Sequence, residues 1–100
     1  YNAVPASYAM QAYDAAMLIN SAVAAVKGNL ADQNAVRAAL KKAAFTSVRG
    51  PFKFNVNGYR IEDFYLTKVA KRADGKYETQ VVEKIFSNYA DGYAKDCKAQ

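Results

Sequence analysis

Apolar side chains recur at intervals of three and four along the first quarter of the chain, which predicts a helix. Ser7 can cap the start of this helix ahead of Tyr8, and Gly28 can end it. The opposite side carries Met10 and Met17 in place of charged residues, so the helix is apolar nearly all round. A helix of this kind is normally buried in a larger body, so we expect it to depend on further polypeptide.

A second helix is predicted to begin at Asp32, whose carboxylate can accept hydrogen bonds from the free N–H groups of a first helical turn. Its pattern continues to Ala43 and should end before Phe45. Lys41 and Lys42 lie in its last turn, where the negative end of the helix dipole favours positive charge.

After the second helix, the apolar period changes from about three and a half to two, which predicts β-strands. Residues 52–56 alternate as one short strand, and Tyr59 and Ile61 return as its partner. Between them, Asn57 and Gly58 form a dipeptide that favours a tight hairpin turn with positive φ at both positions.

Two longer strands are predicted at residues 64–71 and 77–85, joined by a turn at residues 73–75. Glu62 and Asp63 interrupt the alternation just before the first of them. The tail from Ser87 is predicted to form a short amphipathic helix, because apolar residues follow one another at every fourth position. These residues are Tyr89, Tyr93 and Cys97.

The composition narrows the class of protein. Of 100 residues, 52% are hydrophobic and 23% are charged, which is typical of a folded domain and not of a disordered segment. No apolar run approaches the roughly 20 residues that a membrane-spanning helix needs. The formal net charge of +5 permits binding to nucleic acid. Acidic residues lie between many of the basic ones, however, and this favours a solvated surface over a nucleic-acid interface.

Groups that carry chemistry are scarce in this sequence. There is no histidine, and the acidic residues form no close-set pattern of metal ligands. Cys97 is the single cysteine and has no histidine partner for nucleophilic catalysis. We therefore predict no enzymatic activity, no cofactor and no metal site. The eight tyrosines and five phenylalanines are interpreted mainly as packing residues, with one or two available to face a ligand.

Several segments together resemble the C-terminal portion of type I periplasmic solute-binding proteins of ABC importers, in the group that binds branched-chain amino acids and aromatic acids. In chain order these segments are residues 8–16 (YAMQAYDAA), 47–54 (SVRGPFKF), 57–58 (NG), 63–66 (DFYL) and 89–98 (YADGYAKDCK). Each is loose by itself, but their order and spacing are specific when taken together. The likeness extends over nearly all of the chain.

This resemblance implies an α/β fold in which the chain is a C-terminal fragment of a two-lobed receptor. Residues 1–61 would then belong to the first lobe, as two helices and a hairpin. Residues 62–100 would supply a hinge crossing, two long strands and the tail. The residues implied for the hinge are Ile61, Glu62, Asp63 and Phe64. The residues implied for ligand contact, in and after the loop that enters the first helix, are Ala3, Val4 and Tyr8.

The function implied by the resemblance is that of the extracytoplasmic solute-binding component of an ABC importer. Such a receptor closes two lobes on a small amino acid or an organic or aromatic acid, and then docks on a membrane permease. We expect a periplasmic location, and either the missing N-terminal portion or a second copy of the chain as a partner. In that compartment an unpaired cysteine is unusual, so we expect Cys97 to form a disulfide with a residue upstream of this chain.

Two other classes of function stay open at this point. A small basic α+β module could bind nucleic acid if its cations converged on one face beside exposed aromatic residues. The nearly uniform apolar surface of the first helix argues against that class, and we expect no nucleic-acid partner. The chain could also be a structural or oligomerising piece.

Overall fold

A computed structural model describes residues 4–97 of the chain. Two helices come first and a three-stranded antiparallel sheet follows, with the strands in the order β1-β2-β3. The elements are α1 (Ser7–Ala25), α2 (Gln33–Lys42), β1 (Phe52–Phe54), β2 (Arg60–Lys71), β3 (Tyr77–Tyr89) and a 3-10 turn (Ala94–Asp96). This order confirms the predicted succession of two helices and then strands.

The helix α1 ends where the sequence predicted and begins slightly differently. Its regular part stops at Ala25, and Gly28 in the following turn has a φ of 78°, which glycine adopts without strain. The prediction that Ser7 caps the helix was wrong. Ala6 occupies the cap position, its carbonyl accepts from the N–H groups of the first turn, and no side chain caps this end. Among residues 4–97, no helix is long and apolar enough to cross a membrane.

The helix α2 follows the local rules of its sequence. Asp32 is its N-cap, and the Oδ1 atom accepts a hydrogen bond of 3.0 Å from the N–H of Ala35. At the other end, Ala43 has left-handed backbone geometry and closes the helix before Phe45. Both ends of α2 therefore confirm the prediction.

The hairpin between β1 and β2 has a wider turn than predicted. The N–H of Asn55 donates to the carbonyl of Tyr59 at 2.8 Å, so three residues lie inside the loop. Only Gly58 has a positive φ, of 78°, and the prediction of positive φ at Asn57 as well was wrong. The side chain of Asn57 instead accepts from the N–H of Tyr59 and donates to Asp91. These two bonds hold a three-residue loop where a two-residue turn was predicted.

The strands β2 and β3 form a long two-stranded arm, and two predictions about it were wrong. No strand break occurs at Glu62 and Asp63, because β2 runs continuously from Arg60 to Lys71. The interruption in the alternation is instead accommodated by irregular pairing with β3. The predicted tail helix is reduced to the 3-10 turn at Ala94–Asp96, because β3 continues to Tyr89, which pairs with Glu62 across the sheet.

The described part of the chain is thin and has almost no core of its own. It measures 51 × 35 × 16 Å, with a radius of gyration of 16.8 Å. A self-contained domain of this length has a radius of gyration of about 13 Å. The buried apolar residues among those described are Ala22 and Ala94, and most of the large apolar side chains are exposed. We call residues 4–62 the body and residues 63–88 the ribbon.

Candidate functional site

The body is held together by charged side chains at the place where β2 leaves it. Asp14 lies on α1 and is only 5% exposed. Its Oδ2 atom accepts a hydrogen bond of 2.5 Å from the hydroxyl of Ser47, and Arg60 Nη1 lies 3.0 Å from the same oxygen. Its Oδ1 atom accepts from the N–H of Val48 at 3.1 Å. One buried carboxylate thus joins α1 to the loop before β1 and to the first residue of β2.

Arg60 extends this group of charges along β2. Its Nε atom lies 2.9 Å from Glu62 Oε2, in an ion pair whose angle does not make a hydrogen bond. Arg49 Nη2 donates to the other oxygen of Glu62 at 2.7 Å. The Arg60 guanidinium also lies 3.7 Å from the ring centroid of Phe52, a cation–π geometry. We call the four charged residues with Ser47 the root cluster.

The electrostatics of the root cluster are those of a structural link. Two carboxylates face two guanidinium groups, so the formal charges cancel. Burial acts to raise the pKa of Asp14, but the hydrogen bonds from Ser47, Arg60 and Val48 outweigh it, and the pKa lies below its ordinary value of 3.8. A carboxylate with a lowered pKa and occupied oxygens is a poor general base. The cluster is therefore suited to joining elements and not to catalysis.

A second acidic residue, next to Glu62 in the sequence, faces the ribbon. Asp63 accepts a charged hydrogen bond from Lys84 Nζ, and its Oδ1 atom accepts from the N–H of Asn88 at 2.9 Å. Both bonds favour the ionised form, and together they lower the pKa of Asp63, with Lys84 as the main cause. The same contact raises the pKa of Lys84. Neighbouring residues on a strand point to opposite faces, which explains why the two acids have separate partners.

A cleft of about 480 Å³ lies between the start of α1 and the ribbon. The side of the body contributes Val4, Pro5, Ala6, Ser7 and Met10, and the side of the ribbon contributes Thr67, Val69, Tyr77, Glu78 and Thr79. The uncapped end of α1 lies at this cleft. The N–H groups of a helix N-terminus carry partial positive charge, which favours an anionic group nearby.

The structure treats the three predicted ligand residues differently. Val4 lines the cleft. Tyr8 lies in the first turn of α1, is 84% exposed and is not among the lining residues. Ala3 lies outside the described residues. No pattern in the sequence indicates the far wall, because only the pairing of β2 with β3 brings Val69 and Thr79 together.

The predicted hinge residues do not share one environment. Ile61 pairs with Lys53 of β1 and belongs to the sheet of the body. Glu62 joins the root cluster, whereas Asp63 binds β3 and Phe64 pairs with Phe86 of β3. Cys97 is an exposed free thiol in the described part of the chain. Within residues 4–97, no group of three or more metal-ligating side chains is close enough to hold an ion.

Comparison with known proteins gives the family. A family model described as periplasmic binding protein matches residues 1–76. The chain belongs to the periplasmic binding protein family. Among solved structures, it is similar to an ABC transporter substrate-binding protein from Sphaerobacter thermophilus, with 27% sequence identity and a TM-score of 0.69. No curated protein matches the sequence.

The described fold matches one part of a longer relative. The structural alignment covers 80% of this chain but 22% of the Sphaerobacter protein. The two helices and the three-stranded sheet therefore correspond to one part of a periplasmic-binding-protein fold, which confirms the predicted fold class. A thin shape with little core is the expected form of such a part.

Proposed function

We propose that the protein containing this chain is the extracytoplasmic solute-binding component of an ABC importer. Membership of the periplasmic binding protein family supports this function. The observation that carries it further is the cleft between the start of α1 and the ribbon. Its two walls lie on opposite sides of residues 61–64, and a solute held there would contact both of the parts that a closing motion brings together.

The solute proposed is a small amino acid or an organic or aromatic acid. The uncapped N-terminus of α1 offers N–H groups suited to a carboxylate. On the opposite wall, Val69 and the ring of Tyr77 offer apolar and aromatic surface for the rest of such a molecule. Clefts of this kind bind by combining apolar walls with a few convergent polar groups.

The remaining partners follow from the same proposal. The closed receptor would deliver its solute to a membrane permease, in the periplasm. Further polypeptide of the same receptor would cover the exposed apolar residues of α1 and of the ribbon outside the cleft, among them Ile19, Val81 and Val82. We keep the disulfide between Cys97 and a residue outside this chain as part of the proposal.

No observation on the described residues favours the nucleic-acid alternative. Arg49 and Arg60 are engaged with carboxylates in the root cluster. Arg72 lies within 4 Å of two acidic side chains at the ribbon tip, and Lys84 binds Asp63. These cations are paired inside the protein in place of forming a common basic face.

The proposed function is tested by screening the complete protein for thermal stabilisation by amino acids and by aliphatic and aromatic carboxylic acids. A ligand present at 100 times its dissociation constant stabilises the folded state by about 2.7 kcal/mol, which raises the melting temperature by several degrees. Calorimetry on the strongest hit then compares Tyr77→Ala, which alters the cleft wall, with Tyr93→Ala, which alters an exposed tyrosine outside it. Weaker binding in the first variant alone supports the cleft. A panel with no stabilising solute contradicts the function, and equal binding by both variants contradicts the cleft.

A further inference from the structure

The base of the ribbon is irregular, because β3 carries an extra residue there. Glu62 pairs with Tyr89 and Phe64 pairs with Phe86, so a step of two residues on β2 faces a step of three on β3. At the same level Asn88 has a φ of 49°, a left-handed conformation. A bulge of this kind bends the strand that carries it and locally disrupts the ladder. The ribbon therefore meets the body at a bend that is produced by the extra residue on β3.

The two acidic residues at this bend are anchored on opposite sides of it. The carboxylate of Glu62 is held by arginines of the body. The carboxylate of Asp63 reaches Lys84 Nζ and the N–H of Asn88, both on β3. On β2, the point at which the attachment changes from the body to the ribbon is thus the single peptide unit between Glu62 and Asp63.

The chain also returns to the body after β3. Asp91 Oδ2 accepts a hydrogen bond of 2.7 Å from Asn57 Nδ2, in the turn between β1 and β2. Ala94, three residues later, is only 7% exposed. Residues 90–97, which we call the tail, are therefore in contact with the body, and β3 makes a second connection between the ribbon and the body beside that of β2.

We infer that the ribbon is joined to the body by a two-strand hinge, in which Asp63 is a positioning residue and the Asn57–Asp91 bond returns the tail to the body. Asp63 links the bulged part of β3 to β2 and so sets the resting angle of the ribbon. Two adjacent antiparallel strands permit bending across both of them and resist rotation about either one. That this bending serves to close the ribbon on a solute rests on the proposed function. The inference also narrows the expected second part of the chain, residues 62–100, because Asp91 of the tail is hydrogen-bonded to the body.

The test measures the distance between the body and the tip of the ribbon in the complete protein, with no solute added. Spin labels are attached at Asn34 of α2 and Ala73 of the ribbon turn through unnatural side chains, which leaves Cys97 intact. We expect Asp63→Asn to shift and broaden the distance distribution relative to the parent. Glu83→Gln removes the same charge from the same ribbon, at a side chain without a hydrogen bond or ion pair among residues 4–97, and it should leave the distribution unchanged.

Hydrogen exchange supplies a local readout in the same variants. Asp63→Asn replaces a charged acceptor with a neutral amide oxygen, and the weaker hydrogen bond should accelerate exchange of the Asn88 amide by about tenfold. Asn57→Ala should accelerate exchange in the tail without affecting Asn88. If Asp63→Asn does not fold, Lys84→Gln removes the partner and should broaden the distance distribution in the same way.

Specific outcomes contradict the inference. A parent-like distance distribution in every folded Asp63 or Lys84 variant rejects Asp63 as a positioning residue, even if the exchange of Asn88 increases. An equal change in Glu83→Gln rejects it also, because the effect would then come from charge alone. Unchanged exchange of the tail in Asn57→Ala rejects the second connection. None of these measurements requires a solute, so they stand apart from a failure of the proposed function.

Discussion

The body and the ribbon are stabilised in different ways, although both come from one short chain. In the body, α1, the loop before β1 and β2 meet at charged groups that are largely withdrawn from water, with Asp14 only 5% exposed. In the ribbon, two strands pair along their length and leave side chains such as Val69 (73% exposed) and Val81 (63% exposed) in solvent. The body is therefore stabilised by a few specific polar contacts. The ribbon is stabilised by backbone pairing and by the further polypeptide proposed to cover it.

This difference explains why the position of the acidic pair matters. Glu62 belongs to the buried polar links of the body, whereas Asp63 belongs to the exposed contacts of the ribbon. Removing the partner of a buried charged group lowers the free energy of unfolding much more than removing the partner of an exposed one. Changes of the same chemical kind should accordingly have unequal effects in the two regions.

The largest effect is expected from removing the cation of the root cluster. Arg60→Met leaves Asp14 buried without its arginine, and breaking a buried pair in this way costs about 3–5 kcal/mol. Arg72→Met removes an arginine whose contacts to Asp74 and Glu78 are half exposed, and it should cost about 1 kcal/mol or less. Urea unfolding of the complete protein compares the two variants. Equal losses would show that the root cluster contributes no more than a surface ion pair.

Acid should weaken the body through the same carboxylate. Because the pKa of Asp14 in the folded protein lies below 3.8, its contribution to stability is complete above that value. The contribution is lost as the pH falls through the lower folded value, since the unfolded state binds the proton first. Asp14→Asn should be less stable at neutral pH.

The variant also tests the assignment of this pH dependence. Asp14→Asn should lose less stability than the parent between about pH 5 and about pH 3, because one group with a lowered pKa is absent. Unfolding free energies at several pH values give the two slopes. Parallel slopes for parent and variant would assign the acid sensitivity to other groups, among which Asp63 also has a lowered pKa.

A smaller and local effect is expected at the tip of the ribbon. Gly75 has a φ of 82°, and a side chain in left-handed geometry costs about 1 kcal/mol. Gly75→Ala should therefore accelerate hydrogen exchange in residues 70–79 while exchange in α1 keeps its parent rate. Gly92→Ala is the matched control, because no atom lies within 4 Å of its added Cβ and its φ is not in the left-handed range. Similar changes in both variants would contradict the role of the turn.

The features that the sequence predicted correctly depend on neighbours along the chain. Asp32 caps α2 through a bond to Ala35, three residues away, and the glycine of the ribbon turn lies between its two strands. The tail helix failed for a related reason. Tyr89 fits both a helical spacing with Tyr93 and a continued strand, and its pairing with Glu62 of β2 decides between them.

The root cluster could not be predicted in the same way. Asp14 and Arg60 are 46 residues apart, and only the packing of α1 against the start of β2 brings them together. One local sign was present, since Asp14 is the only charged residue in the first 26 positions of the chain, within a helix that is otherwise largely apolar. A single acid in an apolar helix indicates a cation elsewhere in the fold, because a buried charge is costly unless it is paired. The sequence alone does not say which of the arginines and lysines it is.

In the proposed function, the body and the ribbon lie on opposite sides of a cleft that closes on its solute. This claim is tested most directly by the distance between Asn34 and Ala73 in the complete protein, with and without the solute found by thermal screening. The account predicts that solute binding changes this distance while a second pair of labels within the body keeps its separation. A protein that binds its solute with the distance between Asn34 and Ala73 unchanged would contradict it.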